Sequence, residues 1–160
     1  MQQLFTSGDN ESLLAELLRS GVRFLVVGGL AVSFHIPERQ ADDLDLLIEQ
    51  TPDNAASLFR AMAALHLTPE FPYELISTPS ERPQLLPFKT YHYADLVTTG
   101  KNIDFSAEWA RSHEALICQH PVRIASRTLL IHMKHNSDRE KDIRDVELLE
   151  APLHPTCYGR

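Results

Sequence analysis

Two aspartates within an apolar stretch are the residues of this sequence best suited to chemistry. Asp43 and Asp45 flank Leu44, and Leu46, Leu47 and Ile48 follow directly. Side chains alternate along a β-strand, so both acids are expected on one face, roughly 7 Å apart along the strand. Carboxylates that close repel each other unless one is protonated or a cation lies between them. Oxygen ligands favour Mg²⁺, which usually takes one or two carboxylates together with phosphate oxygens.

A glycine pair precedes these acids and supplies a second element of a possible site. Gly28 and Gly29 follow the apolar run 22–27 and precede a short helical segment. Without side chains the backbone can approach a ligand closely, and free N–H groups at a helix N-terminus favour a phosphate. On the acids alone, an ion-paired strand end at the surface is the simpler interpretation. A phosphate cradle beside them favours phosphoryl or nucleotidyl transfer instead.

The surrounding sequence predicts the elements that must position these residues. Apolar periodicity predicts helices over 9–20, 30–36, 52–66, 106–112, 126–134 and 137–149, and strands over 22–27, 43–48, 92–98 and 122–125. Thr51, Ser126 and a Ser137–Glu140 capping box mark three of the helix starts. The proline-rich stretch 68–90 predicts loop and short edge strands. The fold class is therefore α/β (α+β), a small mixed sheet flanked by helices.

Length and composition indicate the number of domains, the kinds of partner and the cellular location. The 160 residues predict a single domain over 1–150 and a loose C-terminal tail over 151–160. A net charge of −7 argues against broad nucleic-acid binding, although a local basic strip lies between 123 and 144. The apolar runs are too short to span a membrane, and the N-terminus lacks a signal-peptide pattern. Cys118 and Cys157 form no CxxC pattern, so a cytoplasmic location is expected.

Three sequence blocks, taken in order, resemble the nucleotidyltransferase superfamily. The first comprises Gly28-Gly29-Leu30-Ala31, His35, Arg39 and Asp43-Leu44-Asp45. The second is ADLVTTGKNIDFSAEWA, residues 94–110, and the third is LLIHMKHNSDREKDIRDVELL, residues 129–149. Together they are similar to the minimal and toxin-type nucleotidyltransferases of bacterial toxin–antitoxin and abortive-infection systems. The resemblance covers roughly residues 22–149.

The resemblance implies Mg²⁺-dependent transfer of a nucleoside monophosphate from an NTP, such as ATP, to an acceptor hydroxyl. It implies two Mg²⁺ ions held by Asp43 and Asp45, with Asp95 as the third carboxylate and the base for the attacking hydroxyl. Asp104 is the rival third acid. The nucleotide-binding residues implied are Gly28, Gly29, Arg39 and Lys134, although Arg39 has an alternative role as an ion-pair partner of Asp42.

Several partners and one alternative function follow from the same resemblance. The expected acceptor is a tRNA, a protein hydroxyl or a small molecule such as an antibiotic, and a toxin-type protein would have a cognate antitoxin. The family usually has glycine after the histidine and threonine two residues before the first acid, where this chain has Ile36 and Ala41. These departures keep open a catalytically inactive nucleotidyltransferase-like binding module.

Overall fold

A single mixed β-sheet with helices packed against it organises the chain. The computed structural model describes residues 1–86 and 94–152. Within them the strands are β1 (Gln3–Leu4), β2 (Phe24–Val27), β3 (Leu44–Ile48), β4 (Leu85–Leu86), β5 (Ala94–Thr98), β6 (His113–Ile117) and β7 (His120–Ile124). The helices are α1 (Asn10–Arg19), α2 (Gly28–His35), α3 (Pro52–Ala64), α4 (Glu74–Ser77), α5 (Phe105–Arg111), α6 (Arg127–Lys134) and α7 (Glu140–Glu150). The α/β (α+β) prediction is confirmed.

The strand order places the two acid-bearing strands side by side. The described strands run β1-β6-β7-β2-β3-β5-β4 across the sheet. β3 pairs antiparallel with β2, so Asp45 lies opposite Val27, and parallel with β5, so Asp45 lies opposite Asp95. The end of β2 that leads into α2 and the start of β3 therefore lie next to each other, at the same end of the strands.

Burial on both faces of the sheet holds these strands rigidly. All four residues of β2 are buried, as are Leu44, Leu46 and Ile48 of β3, which confirms that these side chains face the core. Leu47, on the opposite face, is buried as well, because helices cover both sides. α1 packs against α3, whereas α2 contacts both α6 and α7.

Two of the three predicted helix caps are confirmed. The Thr51 hydroxyl accepts a hydrogen bond from the Asn54 N–H, and Ser126 accepts one from Leu129 N–H. The predicted capping box at the start of α7 is wrong. The Ser137 hydroxyl instead donates to the Asp142 carboxylate, at 2.6 Å, and accepts from the Arg139 N–H. The last helix consequently begins at Glu140 without a side-chain cap.

The start of α2 and two of the strands also differ from the prediction. α2 begins on Gly28 itself, so the glycine pair is the first turn of the helix and not a separate turn before it. β6 and β1 were not predicted, and the β6–β7 hairpin turns through Cys118 and Gln119, which both have positive φ. Strand 92–98 is seen from residue 94. The first two residues of this predicted strand lie outside the described residues. The same holds for the end of the proline-rich stretch at 87–90 and for most of the predicted tail, including Cys157. No helix in the described part is long and apolar enough to cross a membrane.

Candidate active site

A pair of carboxylates near the starts of β3 and β5 forms the centre of the candidate site. Asp45, on β3, and Asp95, on β5, are direct neighbours across the parallel pairing of these strands. Neighbouring strands are about 4.8 Å apart, so the two carboxylates are held on the same face by the backbone itself. Asp43 precedes β3, is exposed, and lines the same cavity. This arrangement places negative charge on three side chains around one opening.

The charges around Asp45 make its ionisation unfavourable. Burial is the largest cause, and the neighbouring charges of Asp95 and Asp43 add to it, which raises the pKa of Asp45 from 3.8 to about 6. Lys134 and Lys141 oppose this shift. A carboxyl group whose ionised form is destabilised by like charges is a group that a cation would stabilise.

Gly28 is required by the position of the Asp45 side chain. Its φ is +67°, and a Cβ built on it would lie 2.0 Å from Oδ2 of Asp45. No side chain fits there, so the carboxylate rests directly against the backbone at the start of α2. Gly29 is more loosely confined, because a Cβ built on it would lie 3.0 Å from the Cβ of Ala41. The glycines thus bring the first turn of a helix into contact with the acid pair.

A cavity of about 290 Å³ opens in front of the glycines and the acids. Its walls come from the ends of β2, β3 and β5, from β4, and from α6 with the start of α7. The side chains that line it are Val27, Asp43, Asp45, Leu85, Asp95, Val97, Leu130, Met133, Lys134, Arg139, Lys141 and Asp142. A wider cleft of about 680 Å³ is lined by Arg39 and Asp42 but by neither of the paired aspartates. The smaller cavity is therefore the one that combines acids, cations and the glycine turn.

Both of the predicted nucleotide-binding cations are engaged in ion pairs. Arg39 donates from Nε and Nη2 to the two carboxylate oxygens of Asp145, at 2.8 and 3.3 Å. Lys134 Nζ lies 2.8 Å from Asp142 and 3.2 Å from Asp145. The Asp145 side chain is 1% exposed, so this network is buried at the junction of the 36–42 loop, α6 and α7. Arg39 pairs with Asp145, not with Asp42.

Asp145 therefore joins two cations that approach the site from different elements. Burial alone would raise the pKa of Asp145, but the hydrogen bonds from Arg39 and Lys134 outweigh it and lower the pKa below 3.8. Asp142 behaves in the same way, with Lys134 and Ser137 as its donors. The ionised forms of both carboxylates are thus the ones that stabilise the fold at neutral pH.

Asp145→Ala is expected to destabilise the protein by about 3 kcal/mol, because it leaves Arg39 and Lys134 buried without their shared partner. Glu140→Ala on the same helix removes only an exposed ion pair with Arg144 and should change little. Urea unfolding measures both. The stabilisation by Asp145 is complete above its unfolded pKa and is lost as the pH falls through its lowered folded pKa, so the two curves should converge in acid. Equal losses in the two variants at pH 7 would contradict this role.

The residues present fit a magnesium ion in part. Among the described residues, no group of three or more His, Cys, Asp or Glu side chains is gathered closely enough to hold a metal ion. A complete three-carboxylate ligand set is therefore not preformed. The adjacent pair Asp45 and Asp95 does match the usual protein share of a magnesium site, one or two carboxylates, with substrate phosphates supplying the other oxygens.

The structure separates the two candidates for the third acid. Asp95 faces Asp45, whereas the Asp104 carboxylate accepts a hydrogen bond from the Ala107 N–H and caps α5. Gly28, Gly29, Asp43 and Lys134 all line the acid-pair cavity, but Arg39 does not. The catalytic, metal-binding and nucleotide-binding roles of these residues remain predictions.

The apolar part of the cavity was not among the predicted site residues. Leu85 lies in the proline-rich stretch, where no periodicity marked it. Val97 had a usable signal, since it stands two residues after Asp95 and must share its face. Lys141, which carries charge into the cavity, belonged to the third resemblance block but was not among the predicted site residues.

Comparisons with known proteins bear on the fold. No family model matches the chain, and no curated protein sequence does. Among solved structures, the chain is similar to the lincosamide antibiotic adenylyltransferase LnuA in its lincomycin-bound crystal structure. The TM-score is 0.57 at 15% identity, over 89% of this chain and 95% of that one. With its mixed sheet and flanking helices, the chain has a nucleotidyltransferase fold.

Proposed function

We propose that the protein is a magnesium-dependent nucleotidyltransferase that moves a nucleoside monophosphate from an NTP to an acceptor hydroxyl. The observation that carries this proposal is the Asp45–Asp95 pair, set against a glycine that must lack a side chain for Asp45 to fit. A pair of mutually repelling carboxylates beside a helix N-terminus suits a cation and a phosphate together. Similarity to the fold of an adenylyltransferase supports the same reaction class.

Different groups of the chain would have different roles in this reaction. The glycine turn of α2 would bind phosphate oxygens through backbone N–H groups, and Asp45 and Asp95 would hold magnesium. The metal would supply charge neutralisation and lower the pKa of the attacking hydroxyl. Asp95 accepts the hydroxyl proton, the acceptor oxygen bonds to the α-phosphorus, and the bond from that phosphorus to the pyrophosphate oxygen breaks. Asp43 adds negative charge at the mouth of the site.

The direct test is transfer of label from each α-labelled NTP, with Mg²⁺, to three kinds of acceptor: total tRNA, cell-lysate protein and lincomycin. Lincomycin is included because it is bound in the similar structure. Transfer by the wild type that is lost in Asp45→Ala supports the proposal. Absence of transfer, of pyrophosphate release and of magnesium-dependent NTP binding would refute it.

Lys141 is expected to bind the triphosphate. It lines the cavity, is exposed, and forms no ion pair with any described residue, whereas the charge of Lys134 is offset by two carboxylates. Lys141→Ala should raise the KM for NTP about tenfold with a smaller change in kcat, since an ammonium group acts on phosphate as a point charge. Arg144→Ala, one turn along the helix and paired only at the surface, is the matched control. Unchanged KM in Lys141→Ala would refute this role.

A catalytically inactive nucleotide-binding module is the second candidate. The observation that favours it is the ion pairing of Arg39 and Lys134, which leaves both cations partly neutralised before any phosphate arrives. Isothermal titration with a nonhydrolysable NTP analogue separates the candidates. Magnesium-dependent binding without transfer to any acceptor indicates the binding module.

A toxin-type role rests on the resemblance of the three sequence blocks and predicts a macromolecular acceptor with a cognate antitoxin. Growth arrest on expression that is abolished by Asp45→Ala would support it. Normal growth at high expression of a transfer-competent protein would refute it and leave a small-molecule acceptor.

A further inference from the structure

An apolar row of side chains lies directly beside the acid pair. On the sheet face that carries Asp45 and Asp95, the next position along each strand is Leu47 on β3, Val97 on β5 and Leu85 on β4. Leu47 is fully buried, Val97 is half-buried and Leu85 is 60% exposed. The row thus begins in the core and ends at the exposed Leu85, on the last described strand of the sheet.

The uncovered end of this row belongs to the same cavity as the acids. Leu85 and Val97 line it together with Leu130 and Met133 of α6. Leu86 and Leu96, on the other face of the same two strands, are buried, so the exposure of Leu85 is not explained by a frayed or unpaired strand. We name the four cavity residues Leu85, Val97, Leu130 and Met133 the apolar wall.

The strand order places Leu85 and Val97, the two strand residues of the apolar wall, on the side of the acid pair away from the glycine turn. The glycine turn follows β2, Asp45 is on β3, Asp95 on β5 and Leu85 on β4, which are consecutive in the sheet. With about 4.8 Å between strands, Leu85 lies roughly 14 Å from the glycine turn, on the far side of the acid pair. The attacking and leaving oxygens in phosphoryl transfer are roughly in line through phosphorus. If the phosphates occupy the glycine turn, the acceptor must approach from the side of Asp95 and the apolar wall.

We propose that the apolar wall binds the acceptor, and that the acceptor is a small molecule with an apolar group next to its reactive hydroxyl. This inference rests on the proposed nucleotidyltransferase function. At about 290 Å³ the cavity is close to the lower limit of small-ligand pockets, roughly 300 Å³, so it suits a compact acceptor. The four side chains of the apolar wall carry no cation for a phosphate backbone, so an RNA acceptor fits the wall less well. The reaction joins the acceptor oxygen to the α-phosphorus, releases pyrophosphate and passes the hydroxyl proton to Asp95.

Two isosteric alcohols test the proposal. Cyclohexylmethanol and (tetrahydropyran-4-yl)methanol have the same shape and reactive group, and differ in one ring atom, methylene or ether oxygen. The assay uses the NTP that gives the fastest pyrophosphate release. We expect the wild type to have a KM for cyclohexylmethanol at least tenfold lower than its KM for (tetrahydropyran-4-yl)methanol, because a change of one group in an apolar pocket has an effect of about this size. Mass spectrometry identifies the alkyl nucleotide product.

Leu85→Ala should remove most of this preference and leave the KM for NTP unchanged. Leu85 is a surface side chain, so the variant should fold, and Leu148→Ala, at an exposed site on α7 outside the cavity, is the matched control. A higher KM for NTP in Leu85→Ala with an intact alcohol preference would overturn the inference and assign the wall to the nucleobase. Transfer to total tRNA with neither alcohol accepted would overturn it in favour of RNA. Absence of pyrophosphate release with any acceptor, water included, would refute the proposed function and this inference together.

Discussion

Asp45→Asn is expected to stabilise the protein at neutral pH and to abolish nucleotidyl transfer. Burial, Asp95 and Asp43 raise the pKa of Asp45 to about 6, so ionised Asp45 is an unfavourable group in the folded state. An asparagine keeps the shape and carries no charge. The variant should gain about 1–2 kcal/mol at pH 8 after allowance for the partial exposure of the side chain. Transfer should fall by at least a hundredfold, the loss typical of removing one electrostatic group from a reaction centre.

The direction of the stability change in Asp45→Asn depends on the pH. The folded protein holds the Asp45 proton up to about pH 6, whereas the unfolded chain releases it near pH 3.8. The stability contributed by Asp45 is therefore complete below pH 3.8 and is lost as the pH rises through 6. The gain of Asp45→Asn should consequently be large at pH 8 and nearly absent at pH 4. Urea unfolding across this range, without divalent cations, measures it.

Asp104→Asn is the matched control, because asparagine caps a helix as well as aspartate does. Both stability and transfer should be unchanged in that variant. Added Mg²⁺ should stabilise the wild type and not Asp45→Asn, since ligands stabilise only the state that binds them. A variant that is destabilised at pH 8, or that retains transfer, would refute the assignment of Asp45 to the reaction centre.

Local sequence was sufficient to predict the acids but not their neighbours. Alternation along β3 identified Asp45 and the buried leucines, because these depend on one strand and its period. The position of Asp95 opposite Asp45 depends on the register of two strands that lie 50 residues apart in the sequence, and only the resemblance supplied it. The pairing of Arg39 with Asp145 spans 106 residues, and no local rule could choose Asp145 over Asp42.

The errors in the predicted elements have similar causes. Ser137 and Glu140 have the spacing of a capping box, yet Asp142 competes for the Ser137 hydroxyl at 2.6 Å. The strand β6, sequence HEALI, is half exposed and carries no clear alternation, so pairing with β7 and β1 determines its structure. Tertiary contacts override local propensity at these places, whereas the long amphipathic helices α1 and α3 were predictable from periodicity alone.

Gly28→Ala and Gly21→Ala should separate backbone strain from damage to the active site. Both glycines have positive φ, +67° and +76°, so each alanine should cost about 1 kcal/mol of stability through its backbone conformation. A Cβ at Gly21 meets nothing within 4 Å, while one at Gly28 would lie 2.0 Å from Oδ2 and 2.7 Å from Cγ of Asp45. Gly21→Ala should therefore retain full transfer activity.

Gly28→Ala should lose at least a hundredfold in kcat, because Asp45 must leave its position or the start of α2 must move away from the acid pair. A double-mutant cycle tests this cause directly. In an Asp45→Ala background the steric conflict is gone, so the stability cost of Gly28→Ala should fall to that of Gly21→Ala, and the difference is the coupling energy between the two positions. If the cost is unchanged in that background, the glycine is required by its backbone conformation alone. If it falls, the turn and the acid form one unit, in which the missing side chain of Gly28 is the space that Asp45 occupies.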